Sequence, residues 1–180
     1  MEKLTIITPC TRIQNLPLIA ASLQTIPKEN RRWIIVFDND SIPSILPEEC
    51  EAYCIQDENS IVGNAQRNYA LNLVTEGHVY FNDDDTCIHP NLWKFIKNAS
   101  ADIISFKQGW KNGRVRLAGD IIGINHIDSH NFIVSKECIG DIRWEINEYA
   151  ADGIFAEECY RKAKTIMYIP VILSIYNSLR

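Results

Sequence analysis

Asp83, Asp84 and Asp85 follow the apolar run Val79, Tyr80, Phe81 after a single intervening Asn82. A short buried strand ending in three carboxylates presents them at the carboxyl edge of a sheet, where open α/β folds bind ligands. In extended chain the side chains alternate, so Asp83 and Asp85 share one side and Asp84 faces the other. Two converging oxygen donors with room for water suit a hard divalent cation, Mg²⁺ or Mn²⁺, which takes one or two protein carboxylates and completes its shell with substrate phosphates. A metal-bridged diphosphate is therefore the expected ligand. An acidic surface turn would carry the same triplet, and the surrounding elements have to decide between the two.

Those elements read as strands alternating with helices. Leu4 to Thr8 is an apolar strand that Pro9 is expected to stop, and Asn15 is placed to cap a helix running to about Thr25, with Pro17 in its first turn. Arg32 to Phe37 is a second buried strand, ending in Asp38, Asn39, Asp40, and Ala52 to Ile55 is a short third. Asn64 to Val74 has helical spacing at Ala65, Tyr69 and Leu73, leaving Arg67 and Asn68 to another face, and His78 to Phe81 is the fourth strand. This order predicts a doubly wound, largely parallel sheet in the first half. Further on, Pro90 to Asn98 reads as a helix, Ile103 to Lys107 as a strand, and Asn112-Gly113 as the turn of a hairpin. Phe132 to Ser135 is another strand, Asp152 to Ala163 an amphipathic helix, and Ile166 to Ile169 a last strand before Pro170.

With 180 residues and no linker, one domain is expected, its nucleotide-binding half at 1–86 and its acceptor and catalytic half at 87–180. Apolar residues at 46% and charged residues at 23% match ordinary globular usage, which argues against disorder. A net charge of −5 argues against a nucleic-acid surface, which needs a basic stripe. For an acidic chain to handle a diphosphate, a cation is needed. The start MEKLTIITP lacks the pattern of a secretory signal, and Ile166 to Tyr176 is too short for a membrane helix, so a cytoplasmic protein without an integral membrane segment is expected. Reduced thiols are the simpler reading of Cys10, Cys50, Cys54, Cys87, Cys138 and Cys159, and Cys50 and Cys54 have no second pair at zinc spacing.

Taken in order, ITPCTR, IIVFDND, GNAQRNYAL, HVYFNDDDT and ADGIFAEECYRKAKTIMYIP resemble the GT-A glycosyltransferases over most of the chain. The closest likeness is to the family 2 enzymes, and the animal glucuronyltransferases share much of the ITP, RN-AL and YF-DDD pattern. The resemblance implies a GT-A, Rossmann-like α/β fold with a small antiparallel portion. It implies that Thr8, Pro9 and Arg12 lie against the nucleotide, that Asp38 and Asp40 contact base or ribose, and that Arg67, beside Asn68, approaches base and diphosphate. Pro9 and Thr11 could equally shape a turn, and Arg67 could belong to an exposed helix face. Gly63 and Asn64 would form the turn opening this helix, whose terminal amides favour an anion. In the D-x-D pattern Asp85 would be the principal metal ligand and Asp83 the second, with Asp84 reaching ribose or sugar. The late acidic position falls on Asp152, the implied base that takes the acceptor's proton, although Ala151 replaces the usual preceding glutamate. Glu157, Glu158, or a plain helix-capping role for Asp152 stay open.

His126 and His130 lie in INHIDSHNF, and His130 could contact acceptor or metal. Trp110 and Trp144 could stack on a sugar or simply pack. The implied activity is inverting transfer from a nucleotide sugar, UDP-linked before GDP- or dTDP-linked, to a glycan or glycoconjugate hydroxyl, with Mn²⁺ or Mg²⁺. Larger members of the family carry further acceptor-binding segments, so a homo-oligomer could complete the acceptor pocket. A noncatalytic nucleotide-sugar or carbohydrate module of the same fold is the alternative. A sugar nucleotidyltransferase is disfavoured, since ITPCTR has no glycine.

Overall fold

In the computed structural model, which describes residues 1–38, 42–56 and 61–180, a single eight-stranded sheet runs through the molecule. The strands are β1 (Leu4–Cys10), β2 (Arg31–Phe37), β3 (Cys50–Cys54), β4 (His78–Phe81), β5 (Ile103–Gly109), β6 (Val115–Leu117), β7 (Phe132–Ser135) and β8 (Ile166–Ile175). Their order is β3-β2-β1-β4-β7-β5-β6, with β8 along the other side of β5. β1, β2, β3 and β4 are parallel to one another, as are β5 and β8, whereas β7 runs antiparallel to both β4 and β5. The helices are α1 (Leu16–Leu23), α2 (Asn64–Leu73), α3 (Leu92–Ile96), α4 (Lys136–Ile139) and α5 (Ala151–Lys162).

The apolar runs exist because the sheet is covered on both faces. Leu4, Ile6, Trp33, Ile35 and Tyr80 pack one way, with Leu16 and Ile19 of α1 and Leu92 and Ile96 of α3. Their alternates Ile7, Ile34, Val36, Val79 and Phe81 pack the other way, with Ala70 and Leu71 of α2 and Phe155 of α5. The chain leaves β1 first toward β2 and β3, then returns to add β4 on β1's opposite side. The carboxyl ends of β1 and β4 therefore flank the point where strand order reverses, the crevice in which such sheets bind ligands.

Two prolines behave differently from expectation. β1 continues through Pro9, which pairs with Val36. The Ile7 carbonyl accepts from Asn82 N–H, so odd positions of β1 point toward β4. Because β4 ends opposite Ile7, the N–H that Pro9 lacks has no ladder partner to lose. Similarly β8 runs past Pro170, because the pairing jumps from Ile169–Phe106 to Ile172–Lys107 and leaves Pro170 in a bulge. Asn15 holds the N-cap position of α1 without a side-chain cap. Its amide donates to the Asp84 carbonyl instead, at 2.8 Å. The third strand begins two residues earlier than expected, at Cys50. The short strand β6 completes the hairpin expected at Asn112-Gly113, with Gly113 at φ +80°. No helix among the described residues is long and apolar enough to cross a membrane.

Candidate active site

A cavity of about 530 Å³ opens at the switch point and is walled by segments far apart in sequence. From the first half of the chain its lining includes Pro9, Arg12, Asp38, Asn64, Arg67 and Asp83 to Asp85, and from the second half Arg116, Asp128, His130, Tyr149, Asp152 and Arg180. Asp40 lies outside the described residues. Thr8 does not line the cavity. It shares the face of Leu4 and Ile6, is fully buried, and accepts the indole N–H of Trp33 at 3.0 Å. Its alternate on β1, Pro9, faces the site instead.

Each carboxylate of the triplet meets a different arginine. Asp84 turns toward the loop after β1, accepting from Thr11 N and Arg12 N at 2.6 Å each, from Thr11 Oγ1 at 3.1 Å, and from the Arg12 guanidinium. Asp83 pairs with Arg67 Nη2 and accepts from Ser129 Oγ at 3.2 Å. Asp85 pairs with Arg180 Nη2 at 2.6 Å, has Arg12 Nη1 at 3.5 Å, and accepts from Thr86 Oγ1 at 3.2 Å. Burial would raise the pKa of Asp83, but Arg67 and then His130 hold its carboxyl well below the usual range.

Arg67 is held through its two terminal nitrogens and its ring contact, while its buried Nε has no hydrogen-bond partner among the described residues. It is 4% exposed, donates to Val62 O at 2.8 Å and Asn64 Oδ1 at 3.1 Å, and lies 4.6 Å from the centroid of Trp144. Trp144 stacks on Phe155 at 4.9 Å, so its ring is a packed support for the arginine. Asn68 fastens the same loop from α2, accepting from Trp144 N and donating to Trp144 O, both at 2.8 Å. Asn64 adds bonds from its amide to the carbonyls of Glu145 and Glu148. Both asparagines thus serve loop 144–148, while Gly63 (φ +80°) makes the left-handed turn into α2 with its Cα against Pro9.

His130 lies beneath Asp83. In the neutral form its Nε2 accepts the Asp83 backbone N–H at 2.8 Å, and the buried Nδ1 has no hydrogen-bond partner among the described residues, with Asp128 Oδ1 3.8 Å away. Burial opposes the charged ring, but the Asp83 carboxylate, 3.2 Å from Nε2, draws the pKa upward. His126 is exposed and outside the cavity lining. Among residues the sequence did not flag, Asp128 accepts from Arg116 Nη1 at 2.9 Å, and Arg116 lies 3.8 Å from the centroid of Tyr176. Trp110 meets Tyr176 edge to face at the hairpin, 43% exposed. The histidines around Asp128 were the one signal that pointed to this segment.

Asp152 sits in the first turn of α5, where Ala150 holds the N-cap position, so it is not the capping residue. Burial pushes its pKa up to about 6, with the charges of Asp128 and Asp83 adding to the effect and the Gly153 N–H and Arg67 opposing it. Glu157 is not among the lining residues and instead accepts from Ile124 N at 3.1 Å; Glu158 does not line the cavity either. Cys10 lines the cavity, but burial and the charge of Asp84 push its thiol up to about 12, which removes it as a nucleophile. All six cysteines are free thiols.

A doubly wound sheet with a nucleotide-sized crevice at the switch point and an antiparallel extension through β7 is the GT-A fold of glycosyltransferases. Solved structures with this fold are similar to the chain over nearly its whole length. S. aureus TarS 1–349 matches with a TM-score of 0.75 at 19% identity, covering 96% of this chain and 60% of that one. TarS 1–349 in complex with UDP-GlcNAc gives 0.76 at 20% identity, covering 96% and 58%. The mannosyltransferase PcManGT from Pyrobaculum calidifontis, in complex with GDP-Man and Mn²⁺, gives 0.64 at 10% identity, covering 97% and 56%. The chain thus spans about three fifths of the length of the TarS 1–349 structures it matches. No family model and no curated protein matches the sequence.

Proposed function

We propose that the chain is a metal-dependent, inverting, family 2-like glycosyltransferase that moves a sugar from a UDP-linked donor to a hydroxyl of a glycan or glycoconjugate. One observation carries this reading: a single cavity gathers the triplet at the end of β4, Arg67 of α2 and Asp152 of α5. Arg67 is the built anion-binding group, fixed by four partners, and Arg12 and Asp38 border the space left for nucleoside. Asp152, half-buried and lining the same cavity, accepts the proton of the acceptor hydroxyl. The acceptor oxygen then bonds to the anomeric carbon as the carbon–oxygen bond to the diphosphate breaks, and the nucleoside diphosphate leaves with that electron pair. Residues 1–86 form most of the donor site, and 87–180 supply the acceptor side with Asp152.

The residues suit a hard cation. Among the described residues no three His, Cys, Asp or Glu side chains form a ready cage. Asp85 and Asp83 offer oxygen donors on the cavity floor, the set that Mg²⁺ or Mn²⁺ uses when phosphate and water fill the remaining positions. Bound by these two, the ion supplies charge neutralisation for the departing diphosphate. His130 is less suited to the metal, because Asp83 N–H occupies its Nε2. Free thiols accord with a cytoplasmic setting.

The test is a thermal-shift titration with a panel of nucleotide sugars, with and without Mn²⁺, followed by detection of released UDP. A stabilisation by one UDP-sugar that requires Mn²⁺, accompanied by slow UDP release, is the expected result. Stabilisation without hydrolysis or transfer across the panel would make the protein a binding module. No stabilisation by any donor would overturn the reading.

A further inference from the structure

Arg180 rests on the carboxylate expected to hold the metal. Its Nη2 lies 2.6 Å from Asp85 Oδ2, and the two side chains are 53% and 5% exposed. A carboxylate this buried needs a compensating charge. Arg12 supplies only a distant one, at 3.5 Å, because it is committed to Asp84. Arg180 is the most exposed of the three arginines, 53% against 37% for Arg12 and 4% for Arg67, which is also held by Trp144, Val62 O and Asn64 Oδ1. The backbone beneath Arg180 is fastened independently of its guanidinium. Leu179 N donates to Asp85 O at 2.8 Å, Cys87 N to Ser178 Oγ at 2.9 Å, and Tyr176 N to Gly109 O at 2.9 Å. The side chain can therefore swing while its root stays at the cavity rim.

A divalent ion on this carboxylate would meet the charge of a guanidinium only 2.6 Å from Oδ2, so the two cations oppose each other there. Building on the donor reading above, we infer that Arg180 is an exchangeable cation of the site. It neutralises Asp85 while the protein is free of metal, and turns to the diphosphate of the donor when a divalent ion takes that carboxylate. The arginine then contributes to binding the leaving group, with a planar fork that matches phosphate oxygens. Its displacement also couples the two ligands, because Arg180 opposes metal binding until diphosphate is present to receive it.

The experiment measures Mn²⁺ affinity by EPR titration, and UDP and UMP affinities by calorimetry in saturating Mn²⁺, for the wild type, Arg180→Gln, Arg180→Lys and Asp85→Asn. Arg180→Gln should bind Mn²⁺ alone about fivefold tighter than the wild type, since the competing charge is gone. The same variant should bind UDP about tenfold more weakly, with UMP, which lacks the second phosphate, changed by less than about twofold. Arg180→Lys should recover part of the UDP affinity. A merely structural role would weaken Mn²⁺, UDP and UMP together, and that result overturns the inference. So does Mn²⁺ binding that is equal in the wild type and Arg180→Gln but lost in Asp85→Asn, which leaves the metal reading intact. Absence of Mn²⁺ binding in every protein, with or without nucleotide, overturns both.

Discussion

Asp84 grips Arg12 at both ends of the residue, taking its backbone N–H at 2.6 Å on one oxygen and its guanidinium on the other. The middle carboxylate of the triplet thereby fastens the loop after β1 to the end of β4, while its neighbours line the cavity paired with Arg67 and Arg180. Asp84→Ala strands the N–H groups of Thr11 and Arg12 beneath the loop. With the half-exposed Arg12 discounted for solvent, the expected loss is about 2 kcal/mol. That corresponds to a fall in Tm of about 4–8 °C for a chain of this size. Donor affinity should fall with it. Asp85→Asn, in contrast, should keep the loop and lose the Mn²⁺-dependent part of UDP binding. Melting curves and UDP calorimetry on the two variants check the division of labour, and equal melting temperatures would refute it.

Trp144 supports Arg67 from beneath its guanidinium. Its ring carries the guanidinium on one partner and Phe155 on another, so Trp144→Leu leaves a void and a loosened buried cation. A cost of about 3 kcal/mol is expected from the cavity. Trp144→Phe keeps an aromatic face and should lose about half as much. Chemical denaturation gives the stability ranking, and nucleoside diphosphate affinity should follow the same order. An unchanged affinity in Trp144→Leu would separate Arg67 from the ring.

The strands were legible because a sheet buried on both faces writes continuous apolar runs, and β4 and β7 came out with their observed bounds. Prolines were misread because their effect depends on where the missing N–H would point. At Pro9 it points past the end of β4, and at Pro170 it falls in a bulge, neither of which has a one-dimensional signature. Within the site, alternation implied that Asp84 departs from Asp83 and Asp85 along extended chain; Asp84 does part from them, but through a turn, closed by Thr86 N–H on Asp83 O at 3.2 Å, that gives each carboxylate its own direction. The same alternation, applied to Leu4, Ile6 and Thr8, would have put Thr8 in the core. Arg116 and Arg180 were invisible, since an isolated arginine shows nothing until β6 and the segment after β8 bring it to the cavity.

Gly63 opens α2 at a position that tolerates no side chain. Its φ is +80°, and a Cβ there would stand 2.6 Å from Pro9 Cβ. Gly63→Ala should cost about 2 kcal/mol or more from backbone strain and the clash. Because Pro9 and Arg67 flank that contact, donor affinity should fall more than acceptor affinity. Gly113, equally left-handed but with open space around its Cβ position, is the control: Gly113→Ala carries the strain alone. Urea unfolding of the pair separates strain from clash, and equal losses would remove the Pro9 contact as a cause.

Asp152 ties activity and stability to the same proton in opposite senses. Its pKa of about 6 in the folded protein lies above the value near 3.8 of an ordinary aspartate. As a base it must be ionised, so kcat/KM should rise with pH through about 6 and level off above it. The folded state binds the Asp152 proton more tightly than the unfolded chain does. This residue's contribution to stability is therefore largest below pH 4 and is lost as pH rises from about 4 to about 6. Asp152→Asn removes both dependences. It should lower transfer by about 10²–10⁴-fold while keeping donor affinity, as expected for loss of a general base. Asparagine should also raise Tm relative to the wild type at pH 7.5, with the gap closing toward pH 4. Rate profiles and melting curves across that range test the pair of effects. A variant that turns over at the wild-type rate would exclude Asp152 as the base, and a constant Tm gap would place its pKa elsewhere.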